Sequence, residues 1–151
     1  MEIVKYQEMY NDELNTWQEK ENQRGENGLD KFVVPQGVLL GDYLKYVQEE
    51  MQEISLVVAT HEKRVVGFLG YSMPEYDHVH VEIMGVNPDC RGKGLAQGLL
   101  TIFKDAVIEK MNIDKVTLAV KRENLSGIRA FSKIATRAEK LDTEYYLGFE
   151  L

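Results

Sequence analysis

The chain has 151 residues, a formal net charge of −7, and 44% hydrophobic and 28% charged residues. This length suits one domain, which we expect to span residues 1–151, and the composition is that of an ordinary globular protein. The negative charge argues against nonspecific nucleic-acid binding, which requires a basic surface. It would tolerate a cationic partner such as an amine, although acidity is also a common route to solubility.

The sequence also lacks the usual marks of membrane and secreted proteins. No run of residues approaches the ~18 apolar residues of a membrane span, and the first ten residues, MEIVKYQEMY, do not follow a signal-peptide pattern. The single cysteine, Cys90, cannot form an internal disulfide, which is consistent with a reducing compartment. We therefore expect a cytoplasmic protein that does not associate with membranes.

The predicted elements alternate along the chain. A strand at 2–7 precedes helices at 8–23 and 41–54; the second helix turns Tyr43, Tyr46 or Val47, and Met51 to one side. A hairpin at 55–62 and 65–73 and a strand at 78–86 follow. Next come a helix of about eighteen residues from near Gly94, a strand at 114–120, a helix near 125–135 and a strand at 145–151. The order βααβββαβαβ, with an optional strand near 137–141, predicts an α/β or α+β fold with a mixed sheet flanked by helices.

The segment MGVNPDCRGKGLAQGLL, residues 84–100, joins a strand to the long helix. Glycines at 92 and 94 let the backbone approach a ligand, and basic residues at 91 and 93 add positive charge. The first N–H groups of a helix have no partner inside it and favour an anion, so the segment predicts a diphosphate cradle. It matches neither a Walker A loop nor a dinucleotide fingerprint. A simple helix cap and a nucleotide site are the alternatives. Gly98, inside the helix, suggests close packing with a neighbour.

The motif R-x-x-G-x-A, Arg91–Ala96, preceded by VNPDC, resembles the GNAT superfamily of acyl-CoA-dependent N-acyltransferases. The resemblance is good over about 79–135. It implies a GNAT-like, mostly antiparallel central sheet, acetyl-CoA as co-substrate, and a small-molecule or peptide amine as acceptor. It also implies a set of residues that contact acetyl-CoA: Met84, Val86, Arg91, Gly92, Lys93, Gly94, Leu95, Ala96, Asn124 and Phe131.

The strand HVHVEIMGV supplies the candidates for proton transfer. Its alternation places His78, His80 and Glu82 on one face, and the Val79, Val81 and Ile83 face would pack under the long helix. An acceptor ammonium must lose a proton before it attacks a thioester, so Glu82, and after it His80, are the candidate bases. An ordinary solvated strand face is the alternative. We expect no metal site, because alternate positions on one flat strand splay apart.

The second part of the resemblance departs from the family pattern. Asn124 matches a family asparagine, although it would also serve as a helix N-cap. Phe131 stands where the family commonly has a tyrosine that protonates the departing thiolate, and phenylalanine cannot donate a proton. The sequence thus predicts an N-acetyltransferase that works by direct attack of a primary amine. The alternative is a CoA-binding regulatory protein with weak or no turnover. A homodimer is possible.

Overall fold

The computed structural model describes residues 1–24, 37–90, 94–121, 129, 131–132, 137–140 and 144–150. Its seven strands form one sheet in the order β1-β2-β3-β4-β5-β7-β6. The strands are β1 (Glu2–Lys5), β2 (Ser55–His61), β3 (Arg64–Glu75), β4 (His78–Val86), β5 (Lys115–Lys121), β6 (Arg137–Lys140) and β7 (Glu144–Glu150). Every neighbouring pair is antiparallel except β4 and β5, which run parallel. The mixed, mostly antiparallel sheet is confirmed, and the optional strand is present as β6.

Three helices with described bounds accompany the sheet: α1 (Asn11–Arg24), α2 (Leu40–Glu50) and α3 (Leu95–Phe103). Residues 129, 131 and 132 are also helical, and the rest of the helix expected near 125–135 lies outside the described residues. The long helix expected after β4 is regular only over α3. It continues as a π turn (Lys104–Ile108) and a 3-10 turn (Glu109–Met111), and ends at Asn112, whose φ of 54° is a left-handed conformation that asparagine tolerates. None of the described helices is long and apolar enough to cross a membrane.

The apolar side chains form one cluster on each face of the sheet. On the α3 face, Leu100 and Phe103 of α3 pack with Val79 and Val81 of β4. On the other face, α1 and α2 cover β2 and β3 with a second cluster: Tyr6, Leu14, Trp17, Leu40, Leu44, Val47, Leu56, Val58, Val65 and Phe68. This second cluster decides between the two alternatives for α2, because Val47 is buried whereas Tyr46 is 55% exposed. The sheet therefore lies between two layers of helices.

Helices α1 and α2 approach each other closely at Gly41. A Cβ at this position would lie 2.7 Å from Asn15 Oδ1 and 2.9 Å from the Asn11 Cβ. The contact also caps α2, since Leu39 provides no side-chain hydrogen bond and Asn15 Oδ1 instead accepts the Gly41 N–H at 2.6 Å. One asparagine on α1 thus fixes where α2 begins.

A β-bulge at Glu82 divides β4. Gly70 is opposite Ile83 and Tyr71 is opposite Val81, so Glu82 is the extra residue on β4. Before the bulge, Val79 and Val81 face α3. After it, Ile83 packs with the α1 and α2 cluster. The expectation that Ile83 shares the face of these valines is therefore wrong, because the bulge reverses the alternation that the sequence pattern assumes.

Candidate active site at the separation of β4 and β5

Strands β4 and β5 pair only over their first halves. The parallel register runs from His78 opposite Lys115 to Val81 opposite Leu118. Beyond this point β4 continues to Val86 beside β3, and β5 continues beside β7. Within the described residues, the edge of β4 from 82 to 86 that faces away from β3 therefore has no strand partner. Backbone N–H and C=O groups on such an edge are available to a ligand.

Asn87 fixes the turn that leaves β4. Its backbone N–H donates to Val66 O at 2.9 Å, and its Nδ2 donates to Val65 O at 3.3 Å, so the end of β4 is held to the start of β3. Its Oδ1 accepts the Asp89 N–H at 3.0 Å, and its backbone O accepts the Cys90 N–H at 2.8 Å. The sequence marks Asn87 only as part of a turn, because Asn-Pro is a turn signal, and gives no sign of its hydrogen bonds to β3.

The N-terminus of α3 begins at Gly94. Gly94 has φ 71° and ψ 18°, and no atom of the described structure lies within 4 Å of a Cβ built there. It makes no side-chain cap bond, so the first N–H groups of α3 receive no partner from the cap residue. Leu95, half-buried, and Ala96 form the first turn. The remaining residues of the predicted set, Arg91, Gly92, Lys93 and Asn124, lie outside the described residues.

Gly98 and Gly85 differ in how much room surrounds them. Among the described residues, a Cβ at Gly98 would meet only Met1 Cε at 3.9 Å, an ordinary contact, so the expected close packing at Gly98 is wrong. At Gly85 a Cβ would lie 2.3 Å from the ring of Phe68 on β3, so here the close approach is real. The two neighbours of Gly85, Met84 and Val86, are half-buried and pair with β3. Because only glycine fits against the Phe68 ring, this contact lets β4 lie close to the ring and fixes the position of the β4 edge.

The polar residues of β4 lie on the face opposite α3. Glu82 is exposed, and its Oε1 accepts a hydrogen bond from Ser72 Oγ at 2.7 Å. His80 is half-buried, and its Nδ1 lies 2.7 Å from Thr117 Oγ1 of β5. His78 is buried, and its Nε2 lies 2.6 Å from the same oxygen. Burial lowers the pKa of His78, with Lys115 and His80 adding to the effect. The neutral form of this ring is therefore favoured.

Two of these polar partners were missed by sequence reasoning. Ser72 and Thr117 are ordinary strand residues, and their roles depend on the pairing of β4 with its two neighbours. Alternation predicts only that Thr117 faces away from Val116 and Leu118. Among the described residues, no group of three His, Cys, Asp or Glu side chains is arranged to hold a metal ion.

Phe131 lies in the apolar cluster under α3. It is helical and 8% exposed, and belongs to the cluster that includes Leu100, Phe103 and Leu118. Its ring thus contributes to the packing of a helix and β5 against α3. This packing alone accounts for an aromatic residue at 131.

Known proteins match this chain in both sequence and fold. The model of the acetyltransferase (GNAT) family matches residues 7–135. An uncharacterized N-acetyltransferase of Methanocaldococcus jannaschii is 27% identical over 116 residues, which cover 77% of this chain and 70% of that protein. An acetyltransferase from Thermus thermophilus superposes with a TM-score of 0.77 at 15% identity, covering 99% of this chain and 96% of the other. PaiA N-acetyltransferase from Thermoplasma acidophilum, solved with coenzyme A, superposes with a TM-score of 0.69 at 14% identity, covering 99% and 98%.

Proposed function

The chain belongs to the GNAT acetyltransferase family, and on this premise we propose that it transfers an acetyl group from acetyl-CoA to the primary amine of an acceptor. The observation that carries the proposal is the early end of the β4–β5 pairing at Val81 and Leu118. Within the described part of the chain, this leaves a backbone edge on β4 without a strand partner, and the chain continues from β4 to the N-terminus of α3, where Gly94 makes no side-chain cap bond. Acetyl-CoA is an extended, anionic substrate: its chain can hydrogen-bond to the backbone at the edge of β4, and its diphosphate can bind the first N–H groups of α3.

The residues at the start of α3 are suited to a diphosphate. The left-handed Gly94 has open space at its Cβ position, and the first-turn N–H groups carry the positive end of the helix dipole. In our proposal Arg91–Ala96 bind the diphosphate, with Arg91 and Lys93 supplying charge. Met84 and Val86 contribute backbone groups that hold the extended arm and polarise the thioester carbonyl, which favours attack. Asn124 and Phe131 complete the proposed set of residues that contact acetyl-CoA.

The acceptor amine approaches from the other face, where Glu82 and His80 lie. An ammonium group must lose a proton before its nitrogen attacks the thioester, and a carboxylate or imidazole within reach accepts it. Glu82 lies at the bulge, directly where β4 and β5 cease to pair, so we assign it as the base and His80 as its neighbour in proton transfer. The acidity of the chain is compatible with a cationic acceptor.

The leaving thiolate has no tyrosine at position 131. A thiol has a reference pKa of about 8.5, so a thiolate departs with moderate ease, and a general acid contributes roughly 10²–10⁴-fold. We therefore propose that the reaction proceeds without an acid at this position. The regulatory alternative is not favoured, because the matched relatives are N-acetyltransferases.

The first test is calorimetric titration of the purified protein with acetyl-CoA and with CoA, followed by a screen of amines for thiol release. The matched variants are Gly94→Asp and Gly94→Asn, which have the same size and both tolerate a left-handed conformation. We expect Gly94→Asp to weaken CoA binding by about 100-fold, roughly 2.7 kcal/mol, because its carboxylate repels the diphosphate. Gly94→Asn should lose less than about tenfold.

Equal affinities for the two variants would contradict the cradle, and no binding of CoA by the unaltered protein would contradict the proposed function. ATP is the control ligand, because a nucleotide site would let ATP compete with CoA at similar concentrations.

A further inference from the structure

The hydroxyl of Thr117 on β5 bridges two imidazole rings of the adjacent strand β4. It lies 2.6 Å from His78 Nε2 and 2.7 Å from His80 Nδ1, and the two rings meet edge to face with centroids 6.4 Å apart. Thr117 is 1% exposed and His78 is 7% exposed, so water does not replace these bonds. His80 lies opposite Thr117 in the parallel register, which aligns the three groups across the β4–β5 pair.

A hydroxyl has a single proton, and this determines the roles of the two rings. When both rings are neutral, Thr117 donates to one ring nitrogen and accepts from the other. If His80 Nδ1–H donates to Thr117, then Thr117 donates to His78 Nε2, and each ring carries its proton on Nδ1. In the opposite arrangement, each ring carries its proton on Nε2. The two histidines must therefore share one tautomer, because the bond made by one ring nitrogen decides the state of the other.

Only one of these arrangements suits proton uptake by His80. When His80 gains a proton, both of its nitrogens carry hydrogen, so Nδ1 donates to Thr117. The hydroxyl of Thr117 must then donate to His78 Nε2, which has to be an acceptor. A His78 protonated on Nε2 would leave the buried hydroxyl hydrogen without an acceptor, which is unfavourable. Proton uptake at His80 therefore requires the Nδ1–H tautomer at His78.

We propose that Thr117 and His78 are positioning residues that hold His80 in the Nδ1–H tautomer, so that its Nε2 accepts the second proton of the acceptor amine, after Glu82 has taken the first. The proposal rests on the proposed acetyl transfer, in which His80 takes part in proton transfer. In this step the amine nitrogen has already attacked the thioester carbon, one of its N–H bonds breaks, and the His80 Nε2–H bond forms. The freed electron pair stays on the nitrogen of the new amide, and the thiolate of CoA departs. The proton later leaves from Nε2 to solvent, and no redox step is involved.

Burial and the charges around the bridge disfavour a proton on His78. Burial lowers the pKa of His78, followed by Lys115 on β5 and His80 on β4, while Glu75 on β3 and Asp77 at the β3–β4 turn oppose this shift. Opposite Lys115 the register places Glu150 of β7, and opposite His80 it places Ser72 of β3. A neutral His78 is a suitable acceptor at the inner end of the bridge.

The tautomers are measured directly by NMR of the full chain labelled with ¹⁵N-histidine, through long-range couplings between ring nitrogens and ring protons. We expect both His78 and His80 to be protonated on Nδ1 at pH values above their titration. In Thr117→Val, which removes the hydroxyl at similar size, the shared tautomer should be lost, and in Thr117→Ser it should be retained. His61, 60% exposed on β2, is the internal control and should not change. Rings protonated on Nε2, or in different tautomers, would overturn the proposal.

Kinetics separate positioning from packing. With an accepted amine, Thr117→Val should lower kcat about tenfold and move the acidic limb of the pH–rate profile, while KM for acetyl-CoA stays the same and Thr117→Ser restores the profile. An unchanged profile in Thr117→Val, with transfer intact, would overturn the bridge and leave the proposed function standing. If no amine is acetylated and CoA does not bind, the proposed function fails, and the NMR tautomers still decide the arrangement of the bridge.

Discussion

The two halves of β4 are held in different ways. The first half, His78–Val81, pairs with strands on both sides. Its two valines pack in the core under α3, and its two histidines contact the hydroxyl of Thr117. Among the strands that the structure describes, the second half, Glu82–Val86, pairs only with β3. It keeps its place through the contact of Gly85 with the Phe68 ring and through the hydrogen bonds of Asn87 to β3. A strand half that pairs along one edge only is thus held in place by extra contacts to its single neighbouring strand.

The largest effect should follow from disturbing that fixation at Gly85. In Gly85→Ala the new methyl group would overlap the Phe68 ring, so we expect the free energy of unfolding to fall by about 3 kcal/mol, measured by urea denaturation. The matched control is Gly98→Ala, which has room and should stabilise the protein by up to about 1 kcal/mol through helix propensity. Similar values for the two variants would contradict the distinction between a packed strand edge and an open helix face.

A smaller effect should follow from Glu82→Gln, which removes a carboxylate from the beginning of the second half. We expect kcat to fall roughly 10²-fold, because a general base contributes about this much, with the defect varying across pH 6–9 and CoA affinity unchanged. Steady-state rates against pH provide the measurement. Glu62→Gln, an exposed carboxylate in the β2–β3 turn, is the control. Equal rates of Glu82→Gln and the unaltered enzyme over this range would remove Glu82 as the base.

The smallest effect belongs to the first half and concerns the pH dependence of stability. The lowered pKa of His78 means that, near and below its ordinary value of about 6.5, the unfolded chain binds more protons than the folded one. The free energy of unfolding should therefore decline as the pH falls from about 7 to about 5. His78→Asn should lose part of this slope, and His61→Asn should keep it. Identical slopes in both variants would show that His78 is not held neutral by the fold.

The sequence predicted the elements well where side-chain periodicity determines them. The strand 78–86 has the predicted bounds, and α3 begins one residue after Gly94, because a left-handed glycine precedes a regular apolar stripe. The bulge at Glu82 was not predictable, since it is a property of the register between β3 and β4. For the same reason Ile83 was placed on the wrong face. The exposure of Tyr46 likewise depends on how α2 packs on α1.

The candidate site was predictable only in part. The glycine and basic pattern of residues 91–96 predicts an anion site from local chemistry, and that prediction enters the proposed function. Thr117 and Ser72 have no local signal, because each acquires its partner from a strand that is distant in sequence. Asn87 lies between these cases: its turn is visible as Asn-Pro, but its hydrogen bonds to β3 require the fold.

The bulge at Glu82 also determines which kinds of sequence change β4 can accept. Glu82 has no partner on β3, so the residues on either side of it keep their pairing whether or not the bulge is present. Loss of Glu82 would leave a regular ladder in which Ile83 still lies opposite Gly70 and Gly85 still lies opposite Phe68. A deletion at 82 would therefore remove the bulge and its carboxylate, while each later side chain keeps its present face. The fold of this enzyme should accordingly tolerate changes at residue 82 both in identity and in length.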